Sequence, residues 1–268
     1  AIIKIFKSFL FFDEKKLLNL FNLNGEVFNV PFKINLENQI DSINNKRLNI
    51  YLKNLRMNFF NESSKDSQGY IGGKNIISFL DSTMSTKYDV KNEVVTFSSK
   101  NSKIHNSKVN YNGVLSVHPF DLNVNFNLGN YRISKFFNIN TILSEFFKSG
   151  LLFNDNISLN ASIVANSKIK EEIFQKAQIN FRIVNGKIDF NNTKFINDKI
   201  GSVELENSNL FFKDKNLILN TDILIDIKNS HHLFSSLNTN KSSRKDFKKI
   251  LINLDFDFIT GQFTVNDA

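Results

Sequence analysis

Apolar residues recur at every second position over most of this chain, and successive side chains of an extended strand point to opposite faces. Phe28, Val30, Phe32, Ile34 and Leu36 alternate with Asn29, Pro31, Lys33 and Asn35. Phe120, Leu122, Val124, Phe126 and Leu128 alternate with Asp121, Asn123, Asn125 and Asn127. The same period runs through Leu48/Ile50/Leu52, Leu55/Met57/Phe59, Ile157/Leu159/Ala161/Ile163, Ile179/Phe181/Ile183, Ile223/Ile225/Ile227 and Ile250/Ile252/Leu254/Phe256/Phe258. A helix does not place such residues on one side, so the pattern predicts strands. Asn, Asp, Lys and Ser fill the alternate positions, which leaves one face of nearly every strand wet. Strands of a parallel α/β sheet, covered on both faces, read instead as unbroken apolar runs. With turn-like connections at Asn24-Gly25, Asn112-Gly113, Asn185-Gly186 and Lys213–Asn216, the fold class is mainly β, an antiparallel meander with one apolar face.

Three segments break the period. Ser134–Ser149 carries Phe136, Ile139, Leu143, Phe146 and Phe147 at helical spacing ahead of Gly150. Ile76–Met84 suits about two helical turns, with Gly69-Tyr70-Ile71-Gly72-Gly73 as a loop before it. A helical patch of His232, Leu233, Phe234 and Leu237 opens the stretch 231–249. The first 21 residues suit one or two helices. The chain also matches itself: Gly25 to Leu36 parallels Gly113 to Val124 at an offset of 88 residues, each copy with Asn before the Gly and Pro-Phe six positions after it. Pro31 and Pro119 are the only prolines, and proline within a strand implies an edge or a bulge. The match divides a single elongated segment into repeat-like units near 21–110 and 111–268.

Composition changes this picture little. Phe 29 with Trp 0, and abundant Ile, Asn and Lys, are what an AT-rich genome encodes. Cys 0 excludes disulfides and thiolate metal sites. The net charge of +8 favours anionic partners. The one dense basic cluster, however, is Lys241, Arg244, Lys245, Lys248 and Lys249, interrupted by Asp246, without the stacking aromatics of a nucleic-acid surface. No nucleic-acid partner is expected.

The most apolar stretch, Ile2–Phe12, contains Lys4 and Lys7 and is too short to span a bilayer. His105, His118, His231 and His232 have no metal-ligand spacing, and no nucleophile elbow, phosphate loop or dinucleotide fingerprint is present. Asp255 and Asp257 share the wet face of a strand. The reading is therefore of no enzyme, no catalytic residues, no metal and no cofactor. The apolar face is the candidate functional surface. It is buried in a sandwich, closed into a barrel, or open as a groove for an apolar ligand. Strands of five to nine residues without Trp argue against a membrane barrel.

Two stretches carry a family resemblance. Tyr111-Asn-Gly113-Val-Leu-Ser-Val-His-Pro119-Phe120-Asp-Leu-Asn-Val124 is similar to a glycine, Pro-Phe, alternating-strand element of the AsmA-like family of bacterial envelope proteins. Ile183–Phe190 and Leu210–Leu217 resemble that family's recurrent β-groove hairpins. The resemblance implies a long, twisted antiparallel sheet folded into an open groove, with a few short helices. It also implies a periplasmic protein, tied to the inner membrane by an anchor outside this fragment, that conducts phospholipid between the membranes. The partners implied are phospholipid acyl chains and other envelope proteins. The candidate groove residues are Phe28, Val30, Phe32, Ile34, Leu36, Phe120, Leu122, Val124, Phe126, Leu128, Ile179, Phe181, Ile183, Ile223, Ile225, Ile252, Leu254 and Phe256. The alternative is an envelope scaffold with a closed dry core.

Overall fold

The computed structural model describes residues 3–27, 30–40, 45–53, 56–105, 107–137, 151–169, 172–214 and 216–267. The protein is mainly β, and its chain divides into two compact units, Ala1–Val117 and His118–Ala268.

The first unit is a meander of β1 (Ile3–Asp13), β2 (Leu18–Val27), β3 (Val30–Gln39), β4 (Lys46–Leu52), β5 (Met57–Lys65), β6 (Ile71–Phe79), β7 (Ser82–Lys91), β8 (Val94–Ile104) and β9 (Ser107–Ser116). Each strand pairs antiparallel with the next. Tight hairpins need positive φ at their tips. Here Leu80 supplies it between β6 and β7, and Asn92 and Glu93 supply it between β7 and β8.

The second unit opens with β10 (Phe120–Gly129) and β11 (Ile157–Asn166), which run parallel. Antiparallel pairs follow through β12 (Lys176–Val184), β13 (Lys187–Asp189), β14 (Thr193–Asn197), β15 (Gly201–Lys213), β16 (Asn216–Ile227), β17 (Lys249–Asp257) and β18 (Phe263–Asp267). Helix α1 (Ser230–Ser236) joins β16 to β17, and the Asn229 side chain caps it by accepting from His232 N–H. Short 3₁₀ turns lie at Ile133–Phe137 and Leu151–Phe153.

Several expectations are corrected. Among the described residues of the first 21, Ile3–Asp13 form β1 and Leu18–Phe21 begin β2, rather than helices. The run Phe9-Leu10-Phe11-Phe12 puts apolar residues on both faces of β1, and a bulge between Ile5 and Lys7 shifts the phase ahead of it, so the spacing imitates a helix. Ile76–Met84 is not a helix but the end of β6, a turn at Leu80-Asp81 and the start of β7. Gly72 and Gly73 belong to β6; only Gly69 lies in a loop, where the Asp66 carboxylate accepts from the N–H groups of Gln68 and Tyr70.

Asn24-Gly25 and Asn112-Gly113 sit inside β2 and β9 and make no turn, whereas Asn185-Gly186 does turn between β12 and β13. The meander is interrupted by the parallel β10–β11 pair. Such a pair needs a crossover of a dozen or more residues, and the helically spaced segment supplies it. Of that predicted helix, Ser134–Phe137 fall in the 3₁₀ turn Ile133–Phe137 and 138–149 lie outside the described residues, as does Leu55.

Glycine inside a strand has a steric cause at Gly25. A Cβ there would collide with the Lys4 carbonyl at the β1 bulge, and would come within 2.7 Å of the Phe32 ring. Gly25 and Phe32 are cross-strand partners, so the ring lies over the glycine. Gly73 and Tyr88 repeat the arrangement, a Cβ at Gly73 falling 2.5 Å from the Tyr88 ring. Pro31 stands second in β3, where a strand tolerates a missing N–H, and its carbonyl accepts from Lys53 N–H.

The sealed core lies in the second unit: Ile183, Ile188, Leu210 and Leu217, with Leu152 and Phe153 of the second 3₁₀ turn packed against them. Ile188→Ala therefore lowers the stability of the protein by about 2–5 kcal/mol. Leu80→Ala, at a side chain 71% exposed, changes it by less than about 0.5 kcal/mol. Urea unfolding midpoints of the two variants check this. A pH effect follows at the β17–β18 turn. Burial pushes the Asp257 carboxyl up, but the N–H of Ile259 and the hydroxyl and N–H of Thr260 together bring it below the usual range. A depressed carboxyl stabilises above its unfolded value near pH ~4, and that stability goes as pH falls through the folded value. Tm should thus fall more between neutral and acid pH in the native chain than in Asp257→Asn.

Candidate functional site

Ladder register decides which side chains share a face. In the first unit one cross-strand row reads Leu23–Ile34–Ile50–Phe59–Ile77–Met84, each residue directly opposite the next. The row beside it reads Gly25–Phe32–Leu52–Met57–Phe79–Ser82. Of the candidate residues, Val30, Phe32, Ile34 and Leu36 lie on this face. Phe28 lies outside the described residues. Apart from Ser82, which is buried, and Gly25, also buried, these residues are half-buried. Gly25 apart, the fully buried residues among those described in this unit stand on β7 to β9 and are mostly small or polar, among them Ser82, Ser99, Ser102 and Val109.

A third row carries a feature that alternation alone did not disclose. It begins Phe21–Leu36–Leu48 and continues Asn61–Asn75–Thr86. The Thr86 hydroxyl meets the hydroxyl of Tyr111, and Tyr88 donates to Asn61 Oδ1 at 2.8 Å. Ser99 and Ser102 hydroxyls lie 2.6 Å apart, and Ser102 Oγ accepts from Ser85 N–H. Asn75 Oδ1 is buried without a hydrogen-bond partner. The apolar face of β2–β4 therefore passes into a mixed face on β5–β9. The signal was present in the sequence as Asn, Thr and Tyr at apolar-phase positions.

In the second unit one row spans Leu122–Leu159–Ile183–Ile188–Leu210–Leu219–Phe256–Phe263. Another spans Leu128–Ala165–Ala177–Phe195–Val203–Ile225–Ile250. Phe120, Val124 and Phe126 on β10, Ile179 and Phe181 on β12, Ile223 on β16, and Ile252 and Leu254 on β17 stand on the same side. Val124, Leu128 and Ile183 are already sealed by protein. Phe126, Ile179, Phe181, Ile223, Ile225, Ile252, Leu254 and Phe256 are half-buried, and Phe120 is 39% exposed. The candidate residues thus separate into a closed centre and an open remainder.

The polar groups do not converge. Among the described residues no three His, Cys, Asp or Glu gather as metal ligands. His105 Nδ1 meets Asp81 Oδ1 at 2.6 Å, between the exposed β8–β9 and β6–β7 turns. The rings of His231 and His232, 6.2 Å apart, stand edge-on at the start of α1. In the basic cluster, Arg244 donates to the Thr239 carbonyl and shapes its own loop. Solvent exposure does not describe Asp255 and Asp257. Asp257 is buried in its turn, and Asp255 is half-buried and accepts from Asn220 Nδ2 at 2.7 Å. Asp222 is held below the usual carboxylate range by donation from Asn207 and Asn253. No helix of the described residues is long and apolar enough to cross a membrane.

The polar row generates a pair of opposite outcomes. Asn75→Leu replaces an unpartnered buried carbonyl and should raise stability by about 1 kcal/mol. Thr86→Val removes a partner of Tyr111 and should lower it by about 1 kcal/mol. Chemical denaturation of both variants checks the pair. Comparison of the chain with protein-family models, curated proteins and solved structures finds no match.

Proposed function

We propose that this protein binds phospholipid acyl chains along the half-open apolar face and passes them along it, as a groove protein of the bacterial envelope and not as an enzyme. The observation that carries the reading is the row Leu23–Ile34–Ile50–Phe59–Ile77–Met84, six large apolar side chains in register, all half-buried. Covering each acyl CH₂ there contributes about 0.8 kcal/mol. Because neighbouring positions offer similar contacts, a chain shifts along such a face without leaving one deep well for another. The resemblance to the AsmA-like family supplies the periplasmic location, the inner-membrane anchor and the envelope partners as parts of the same proposal.

A second reading, a scaffold with a closed dry core, is favoured by one observation. Ile183, Ile188, Leu210 and Leu217 are at most 1% exposed and so are closed to solvent. The two readings diverge on the open positions.

Lipid extraction of the purified chain, followed by mass spectrometry, should recover phospholipid. Ile34→Asp and Phe126→Asp should each lose most of that lipid while keeping the β circular-dichroism spectrum of the parent chain. A monodisperse parent chain that carries no lipid, and takes up none from phospholipid vesicles, would overturn the groove reading in favour of the scaffold.

A further inference from the structure

Strand β1 is the exception to the one-sided pattern. Ile5, Leu10 and Phe12 stand on one face, opposite Gly25, Phe21 and Asn19 of β2. Phe9 and Phe11 stand on the other, opposite Asn22 and Leu20, their rings stacked 6.3 Å apart. All five are at least 44% exposed, and Leu10 reaches 74%. Among the described residues β1 pairs with β2 alone, so every second residue directs its N–H and C=O away from the sheet. A long, exposed, apolar edge of this kind is a template for another strand. A bilayer is a poorer cover, because each unpaired backbone group placed in hydrocarbon costs several kcal/mol. A strand satisfies the backbone and covers both apolar faces together.

We propose that the strand is β1 of a second copy of this chain, paired antiparallel about a two-fold axis through Leu10. The β1 bulge ends at Lys7, and Lys7–Asp13 is a regular ladder centred on Leu10. Pairing that segment with itself sets Leu10 against Leu10, Ser8 against Phe12 and Phe9 against Phe11. It also sets Lys7 against Asp13 at both ends. Every pair joins residues of one face, as a two-fold normal to the sheet requires. Opposite charges and aromatic pairs at direct cross-strand positions are both stabilising. Asp13 Oδ1 already accepts from the N–H groups of Lys15 and Lys16, and Oδ2 is the oxygen that a second copy's Lys7 reaches. This inference does not depend on the lipid reading.

The absence of cysteine makes a single thiol a clean reporter of register. Leu10→Cys should cross-link into a disulfide dimer under mild oxidation at least about tenfold faster than Leu80→Cys, equally exposed at the β6–β7 turn. Phe9→Cys, placed against Phe11, should lag in the same way. Sedimentation of the unmodified chain should show a monomer–dimer equilibrium. Lys7→Asp, which turns both charge pairs repulsive, should weaken it about tenfold. A chain that sediments as a monomer throughout, a dimer in which Leu10→Cys cross-links no faster than Leu80→Cys, or a monomer that binds anionic phospholipid vesicles through β1 would each overturn the proposal.

Discussion

Cross-strand register is the constraint on which this protein depends. A one-residue slip in any ladder carries that strand's apolar set to the opposite side, yet apolar side chains stay on one face for many strands in succession. Where the chain itself loses phase, the backbone absorbs the error. On β15, Val203 and Leu205 face the same side as Leu210, although four residues, an even number, lie between Leu205 and Leu210. An irregularity between Glu206 and Asn209 takes up the extra residue, with Asn207 at positive φ and donating to Asp222. Ser208, buried there, bonds both Phe190 N–H and Asn191. The slip on β8 between Ser99 and Ser102 does the same work in the first unit, and its two hydroxyls bond each other.

Given register, the two units use one pattern differently. In the second, β13 and β14 are short, and a 3₁₀ turn lays Leu152 and Phe153 against the face, which seals Ile183, Ile188, Leu210 and Leu217. In the first, the aliphatic rows of β2–β4 stay half-covered, and fully buried side chains appear where small hydroxyl residues bring β7, β8 and β9 into hydrogen-bonded contact. Among the described residues of that unit, a half-covered apolar surface therefore remains. Gly25 and Gly73 let aromatic rings lie flat along that surface instead of standing away from it.

What a face can do follows from what its edge and its polar residues add. The Asn61–Asn75–Thr86 row gives the apolar surface of the first unit a boundary, beyond which apolar ligand atoms would meet hydroxyls and amides. On β1 the opposite holds. Both faces are apolar and the backbone edge is open, so the strand's chemistry is that of an interface and not of a groove wall.

By itself, the sequence determined the fold class and the membership of the apolar face, because period-two alternation is a local property of extended backbone. Every described candidate from Val30 to Phe256 stands where its phase puts it. The sequence also carried the α1 patch around Phe234 and the turn at Asn185-Gly186. It misled wherever neighbours in space decide the outcome. The run Phe9-Leu10-Phe11-Phe12, after the bulge at Phe6, makes β1 resemble a helix. Asn24-Gly25 resembles a turn, because only the Lys4 carbonyl and the Phe32 ring across the ladder show why that glycine is needed. The parallel pairing of β10 with β11, and the division of the face into sealed and open parts, are tertiary decisions. They rest on which strands lie side by side and what covers them, and alternation along one strand holds no record of either.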